Sequence, residues 1–537
     1  ALVGAVLALI NADRVPDTPR RSLERLEEFI PQITPDAVLA ALKREALPLD
    51  EPLLRFQGRT APGGGEAGLR AAWREAMTKP LVRGESKATA TFAYTDFGAP
   101  GRVVSDTVEP QLGIRTLRFA NNVRLNLKRT DLQKDRLLVQ VSVDGGNMLA
   151  TRDNPLATRM TSVLALGGLG RHSKDELDTL LAGRTVSSNV SATDETFTAV
   201  AATTPQDLEL QLQLLAAQIT DPGYRREGQV LYLQTINNMF ASLRATPGSA
   251  LSADLGAILS DDDPRFSLGK VEAFRALTFD KLKADISERL KNGAIEIGLV
   301  GDFDEDKAIA LVARTFGALP LREAEFRDWA DRRDRPFTAN HAPRTLRHTG
   351  LKDQALLTMH WKTRDASDPV EALALELLGR VVRLEMTEVL REKLGKAYSP
   401  SAGSAVSFTW KDYGTFTVNA SVAVDEVPAA RAAIAEAMAS LRARAIDPDL
   451  LLRARAPMLE NFDNALKTNS GWLALVDRTQ TEPDRIERYV KGKDRLLAIT
   501  PAQLQALAAR YLTPQGAVEV TVLPEGVDPA AQPTVSR

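Results

Sequence analysis

The chain has 537 residues, of which 44% are hydrophobic and 26% are charged, with a formal net charge of −2 at pH 7 and no cysteine. A chain of this length predicts about two to four domains, because it exceeds what one hydrophobic core serves. The small net charge, without a long basic run, argues against nucleic acid or an anionic membrane as a partner. The lack of cysteine excludes disulfides, thiolate metal sites and a cysteine nucleophile.

The chain opens on an apolar run, ALVGAVLALI, followed by Asn11-Ala12-Asp13-Arg14. This run is too short to span a bilayer, and neither a basic leading segment nor a cleavage site of small residues accompanies it. We therefore expect a helix rather than a signal peptide. We interpret the chain as a piece of a longer polypeptide.

One pattern occurs three times along the chain: a hydrophobic residue, a threonine and a short amphipathic helix. Thr34, Thr278 and Thr500 stand where a helix N-cap belongs, ahead of apolar residues at helical spacing. A β-rich run follows each helix, at residues 52–58, 294–302 and 517–524. The copies lie 244 and 222 residues apart. This spacing predicts a repeated α/β domain, with only its C-terminal end present in the first copy.

The segments between these copies mix both kinds of periodicity. Alternating apolar residues predict strands around an Asn-Asn turn in 114–130 and around a Lys-Asp-Tyr-Gly turn in 405–422. A period of 3.6 predicts long helices at 205–221, 369–394 and 427–445. The sequence therefore predicts an α+β fold of tandem homologous α/β domains, each with helices packed on a mostly antiparallel sheet.

Three segments of the chain resemble a known family. The similarity is found in the strand–turn–strand segment 114–130, in IEIGLVGDFDEDKAIALVARTFGALP (295–320) and in REKLGKAYSPSAG (391–403). It is to the pitrilysin and insulin-degrading enzyme family of zinc peptidases, the inverzincins. The likeness is to the C-terminal half of a bacterial single-chain, periplasmic-type member. It implies homologous domains in two halves that close like a clamshell around the substrate. The implied divisions are the end of domain two (1–60), a linker (61–110), domain three (111–326), a linker (327–344) and domain four (345–537).

In that family the first domain holds zinc through an H-x-x-E-H motif, and this sequence lacks it. Its histidines are His172, His341, His348 and His360. Segment 156–173, where the resemblance places the corresponding helix of domain three, has no paired ligands, whereas zinc needs at least about three. We expect His360 to be a satisfied strand residue, and His341 and His348 to be solvated. The resemblance implies that zinc is bound by the missing N-terminal half, encoded in the same gene or as a separate chain.

Arg391 and Tyr398 lie seven residues apart, across Gly395, in LREKLGKAYSP. Their residue types alone predict a solvated ion pair of Arg391 with Glu388 and a tyrosine packed at a strand edge. The resemblance implies instead that both reach across the closed chamber towards the zinc site. There, a phenol O–H stabilises the oxyanion of peptide hydrolysis, and a guanidinium holds a neighbouring substrate carbonyl.

Two further features receive an interpretation. Ser187 and Asn189 are candidates for the wall of the substrate chamber, by resemblance. The run LGGLG (166–170) lacks the Lys-Ser/Thr of a phosphate-binding loop, and we expect a helix end and a turn there.

The predicted function is the substrate-binding half of a zinc metalloendopeptidase that hydrolyses peptides or small unfolded proteins, and that is inactive alone. The resemblance places it in the periplasm, with neither nucleic acid nor membrane insertion involved. The alternative is a non-catalytic structural or binding subunit, as in relatives that serve as core subunits of respiratory complexes. A stand-alone enzyme is disfavoured, because no complete catalytic set is present.

Overall fold

The computed structural model describes residues 2–13, 15, 17–45, 52–58, 60–80, 91–394 and 400–527. They belong to two compact units, Ala1–Lys87 and Ala88–Arg537. The helices of the first unit are α1 (Leu2–Asn11), α2 (Pro19–Phe29), α3 (Pro35–Glu45) and α4 (Gly65–Thr78).

The first unit confirms one sequence prediction and corrects another. The Thr34 hydroxyl accepts a hydrogen bond from the backbone N–H of Ala37 at 3.1 Å, as expected of the cap of α3. Residues 52–58, predicted to be β-rich, form no strand. The physical reason is that the described residues of this unit include no neighbouring strand whose backbone could complete a ladder.

The second unit consists of two modules, each built on one sheet. The first sheet has the strand order β1-β2-β3-β7-β4-β6-β5 and the second the order β10-β11-β9-β12-β8. The strands of the first module are β1 (Val103–Glu109), β2 (Ile114–Phe119), β3 (Arg124–Arg129), β4 (Leu137–Asp144), β5 (Val190–Ala192), β6 (Thr196–Thr203) and β7 (Ile295–Gly301). Its helices are α5 (Lys174–Leu180), α6 (Leu208–Thr220), α7 (Arg226–Ser242), α8 (Pro247–Leu259), α9 (Val271–Arg275), α10 (Phe279–Asn292) and α11 (Glu305–Arg314).

The second module follows the same plan. Its strands are β8 (Arg344–His348), β9 (Gln354–Thr363), β10 (Ser401–Val406), β11 (Gly414–Ala423) and β12 (Val518–Pro524). Its helices are α12 (Pro369–Leu394), α13 (Val427–Ala443), α14 (Pro448–Ala465), α15 (Asn469–Val476), α16 (Asp484–Val490), α17 (Gly492–Ala498) and α18 (Pro501–Tyr511).

The two modules share one topology. The order β3-β7-β4-β6-β5 in the first sheet corresponds to β8-β12-β9-β11-β10 in the second. In each, one pair is parallel, β3 with β7 and β8 with β12, and the neighbouring pairs are antiparallel. Thr278 and Thr500 cap the equivalent helices α10 and α18. The tandem α+β architecture predicted from the sequence is therefore confirmed.

Each sheet has one face covered by helices of its own module and the other by a helix of the other module. Helix α8 of the first module packs on the second sheet, where its Ala250 shares a buried cluster with Val520 of β12. Helix α15 of the second module packs on the first sheet, where its Leu473 shares a cluster with Val300 of β7. Thr246 and Thr468 cap these two helices, 222 residues apart, so α8 and α15 are equivalent elements of the repeat.

The connector between the second and third strands of the repeat differs most between the modules. In the second module it is the long helix α12, as predicted. In the first, the predicted helix over 156–173 is wrong: this segment forms turns and a 3-10 helix, Thr161–Gly167. The LGGLG run ends that segment, with Gly168 at φ 69°, which confirms the predicted helix end and turn. A β-carbon at Gly167 would lie 3.1 Å from the backbone of Tyr224 and Arg225, so the loop at Tyr224 packs closely against this segment.

No helix in the described part of the chain is both long and apolar enough to cross a membrane.

Helix α12 crosses the edge strand β10 at a contact between two glycines. A β-carbon at Gly379 would lie 2.8 Å from the α-carbon of Gly403. We expect Gly379→Ala to lower the free energy of unfolding by about 1–3 kcal/mol, because this overlap outweighs the usual gain from alanine in a helix. Urea unfolding of the purified chain measures the change.

The matched control is Gly248→Ala in α8, where the added methyl meets no atom within 4 Å. We expect this variant to be as stable as the wild type or more stable, by up to about 1 kcal/mol. Equal effects of the two substitutions would contradict the proposed contact.

Candidate functional site

The predicted arginine lies at the end of α12, beside the edge strand β10. The backbone of Arg391 is in the last turn of this helix, which ends at Leu394. Its side chain and all of Tyr398 lie outside the described residues, so their convergence on one cavity stays a prediction. Glu388, one turn before Arg391, forms an ion pair with Arg453 of α14 at 3.0 Å. The pair is half exposed and contributes little to stability.

The other two predicted site residues directly precede the edge strand β5. Ser187 and Asn189 are both exposed. The backbone of Ser187 is fixed by Gln211 of α6, whose buried side chain accepts from its N–H at 2.9 Å and donates to its carbonyl at 2.7 Å. In the sequence, Ser187 stands three residues before β5, and Tyr398 stands three residues before the equivalent strand β10. The sequence prediction did not include this correspondence.

A cavity of about 330 Å³ lies against β5, and no motif in the sequence predicts it. Its charged and polar wall includes Arg159, Arg265, Arg332, Arg335, Asp194 and Ser191. The Arg335 guanidinium lies 4.5 Å from the ring centroid of Phe266 and 4.4 Å from that of Tyr413. Desolvation raises the pKa of Asp194, and the positive charge of Arg335 opposes this shift. We call this feature the arginine cavity. Its guanidinium groups suit backbone carbonyls and carboxylates of a peptide.

A hydrogen-bonded polar strip runs across the second sheet to the start of β10. Asn419 donates to the Ser401 hydroxyl at 3.1 Å and accepts from the Thr358 hydroxyl at 2.5 Å. The Thr358 oxygen lies 2.9 Å from Nε2 of His360, and Nδ1 of His360 lies 3.1 Å from the Thr417 hydroxyl. Since the only hydroxyl proton of Thr358 goes to Asn419, Nε2 of His360 is the donor in this pair and Nδ1 accepts from Thr417. His360 is therefore a satisfied, neutral strand residue, as predicted.

The remaining histidines are also held by protein groups. His172 is buried and accepts the backbone N–H of Ala93 on Nε2 at 2.9 Å. His348, expected to be solvated, is instead fully buried, because β8 extends over this residue, and its Nε2 lies 2.9 Å from the Gln354 carbonyl. His341 is half-buried, with Nδ1 3.3 Å from a backbone carbonyl. Across the described residues, no three metal-binding side chains are grouped to hold an ion. The described residues thus do not fit a zinc ion.

Comparison with known proteins shows what this fold is similar to. Residues 276–458 match the family model described as the peptidase M16 inactive domain. This match covers 183 of the 537 residues, and that part of the chain is similar to the peptidase M16 inactive domain.

Individual relatives are similar over most of the chain. The chloroplastic stromal processing peptidase of Arabidopsis thaliana is 20% identical over 432 residues, which cover 71% of this chain and 34% of that protein. The chain thus spans about a third of the length of this curated relative. The crystal structure of the periplasmic protease PqqL from Escherichia coli is similar to this chain, with a TM-score of 0.68 and 15% identity. The match covers 98% of this chain and 58% of the PqqL chain. The crystal structure of a peptidase M16 inactive domain from Pseudomonas fluorescens matches with a TM-score of 0.63 and 16% identity. This match covers 79% of the present chain and 100% of the Pseudomonas fluorescens chain.

The polar strip predicts a pH dependence of stability. Burial lowers the pKa of His360 to about 4, whereas an unfolded histidine titrates near 6.5. As the pH falls from about 6.5 towards about 4, the histidine of the unfolded chain therefore binds a proton, whereas His360 in the folded chain stays neutral. We expect this residue to lower the free energy of unfolding by about 2 kcal/mol between pH 7.5 and pH 5. Urea unfolding followed by tryptophan fluorescence measures it.

The comparison that isolates His360 uses two variants. His360→Gln should lose this part of the pH dependence, while His341→Gln should keep it. An unchanged pH dependence in His360→Gln would show that His360 is not the residue responsible.

Proposed function

We propose that this chain is the C-terminal, substrate-binding half of a zinc metalloendopeptidase that hydrolyses peptides or small unfolded proteins in an enclosed chamber. The observation that carries the proposal of a missing half is an exposed core face in the first unit. Val38 and Leu42 of α3 lie four and eight residues after the capping threonine, and they are 55% and 63% exposed. Leu282 and Ile286 hold the same positions in α10, where they are 3% and 0% exposed.

The positions that two copies of the repeat bury are thus uncovered in the third. Exposed apolar positions of this kind mark a surface that another protein segment covers. In our proposal the cover is the rest of a further module, which belongs to the N-terminal half. In our proposal that half also holds the zinc.

The residues of this chain act on the peptide rather than on the metal. Zinc on the N-terminal half supplies the hydrolytic water when the two halves meet. The arginine cavity binds peptide carbonyls and carboxylates along the edge strand β5, and Ser187 and Asn189 line the approach to this strand. Arg391 orients a substrate carbonyl, and the Tyr398 O–H donates to the oxygen on which negative charge develops. The lack of cysteine is compatible with the periplasm, where the PqqL relative works.

The first test separates this function from that of a structural subunit. We expect the purified chain alone to bind no stoichiometric zinc and to leave a quenched fluorescent peptide intact. Addition of a zinc-bearing N-terminal half should restore cleavage. Metal analysis and peptide fluorescence are the measurements. Stoichiometric zinc in the chain alone would contradict the assignment of the metal, and a stable, inactive complex of the two halves would favour the structural subunit.

The second test concerns the proposed oxyanion donor. Tyr398→Phe should lower kcat of the reconstituted enzyme by about 10²–10³-fold, because one oxyanion donor typically contributes that much. The zinc content should not change. Tyr489→Phe is the control, since the Tyr489 hydroxyl donates to a backbone carbonyl within its own module at 3.3 Å. Wild-type turnover in Tyr398→Phe would return Tyr398 to a packing role.

A further inference from the structure

A second cavity, of about 410 Å³, lies between α10 and the loop that follows α6. Its polar side chains are those of Thr220, Asp221, Tyr224, Lys283, Ser287, Lys291 and Arg322. It shares no lining residue with the arginine cavity beside β5. The proposed peptidase function gives it no role.

The unusual group in this cavity is Arg322, which is buried to 3% exposure without an acidic partner in the described residues. Its Nη1 donates to the Leu290 carbonyl at 2.6 Å, and its Nε has no hydrogen-bond partner there. Burial lowers the pKa of Arg322 to about 10, with no carboxylate to oppose this shift. An uncompensated buried charge is costly, so proteins normally pair it.

Arg289, in the same module, is an example of a buried guanidinium with a purely structural role, and it can be compared with Arg322. It is as buried as Arg322, and it donates to Asp144, Glu288 and Glu323 at 2.6–2.8 Å. Among the described residues, Arg322 instead has only the carbonyl at the end of α10, which uses one of its five N–H groups. Capping of that helix end explains the contact with Leu290 and leaves the rest of the guanidinium without a function.

The groups around Arg322 add positive charge and donors. Lys283 and Lys291 are exposed and form no ion pair in the described part of the chain. The buried hydroxyl of Tyr224 faces Ser287 without a hydrogen bond of normal geometry. Asp221 is the one acid that the described residues contribute to the wall, and its carboxylate already accepts the Tyr94 hydroxyl at 2.6 Å. Three cationic groups against one carboxylate leave the cavity with two net positive charges.

We propose that this cavity binds a dianionic phosphoryl group, either free as inorganic phosphate or carried by a small organic molecule. A dianion matches the net charge, and the guanidinium fork and the two ammonium groups are the donors that phosphate oxygens accept. The volume suits a small ligand. Ile219, Leu290 and two prolines supply apolar wall for an organic substituent.

Isothermal titration calorimetry of the full chain tests this site, with inorganic phosphate and phenyl phosphate as the probes. We expect saturable binding at low ionic strength, and no comparable binding of acetate, a monoanion. Tighter binding of phenyl phosphate would identify an organic phosphate as the source, and equal binding would identify free phosphate. Lys283→Gln and Lys291→Gln should each weaken binding about tenfold, since each removes one charged hydrogen bond. Lys307→Gln, a matched exposed lysine on α11 outside the cavity, should bind as the wild type does.

Arg322→Met separates the phosphoryl site from simple helix capping. In our proposal this variant loses phosphate binding, and without phosphate it melts at the wild-type temperature or above, because it no longer buries an uncompensated charge. A lower melting temperature with unchanged phosphate binding would assign Arg322 to capping alone and overturn the proposal. So would the absence of saturable heat with both probes, or binding that the two lysine variants leave unchanged. If Arg322→Met does not fold, the lysine variants decide.

Discussion

The second unit depends on the exchange of one helix between its modules. A sheet with an uncovered apolar face is not stable in water, and each module leaves one face of its sheet for α8 or α15 of the other to cover. A polar network reinforces one side of this exchange. The fully buried carboxylate of Glu296 on β7 accepts from Asn126 at 2.6 Å and from the backbone N–H of Gln480, after α15, at 2.8 Å. The two modules therefore hold a fixed relative position.

This fixed position matters for the arginine cavity, because its walls come from both modules. The 3-10 segments and β5 belong to the first module, while Trp410, on the turn between β10 and β11, belongs to the second. Rings from both modules also enclose Arg335, so its guanidinium is held without an ion pair among the described residues. Aromatic faces stabilise a cation without neutralising it, which leaves its N–H groups available to a ligand.

Local signals in the sequence predicted the elements that local interactions determine. Threonine caps, the Asn-Asn and Lys-Asp-Tyr-Gly turns and the limits of α12 follow from spacing within a few residues. The failures involve distant partners. Residues 52–58 would need a neighbouring strand, segment 156–173 is shaped by its contact with the loop at Tyr224, and His348 is buried by a strand that begins inside the predicted linker. For the site, the sequence pattern placed Arg391 at a helix end, but it could not reveal a cavity whose four arginines come from three separate segments. The predicted domain limits and the pairing of Arg391 with Tyr398 stay predictions.

The unequal connectors of the two modules have a consequence for how such a protein can change. Equivalent strands keep their order whether they are joined by the 26-residue helix α12 or by turns, 3-10 segments and the short helix α5. The strand order of the sheet therefore does not depend on the structure of this connector. One module can therefore replace the long helix by segments that line a charged cavity, while the other module keeps the helix. Ligand recognition in this chain can diverge in this way without a new fold.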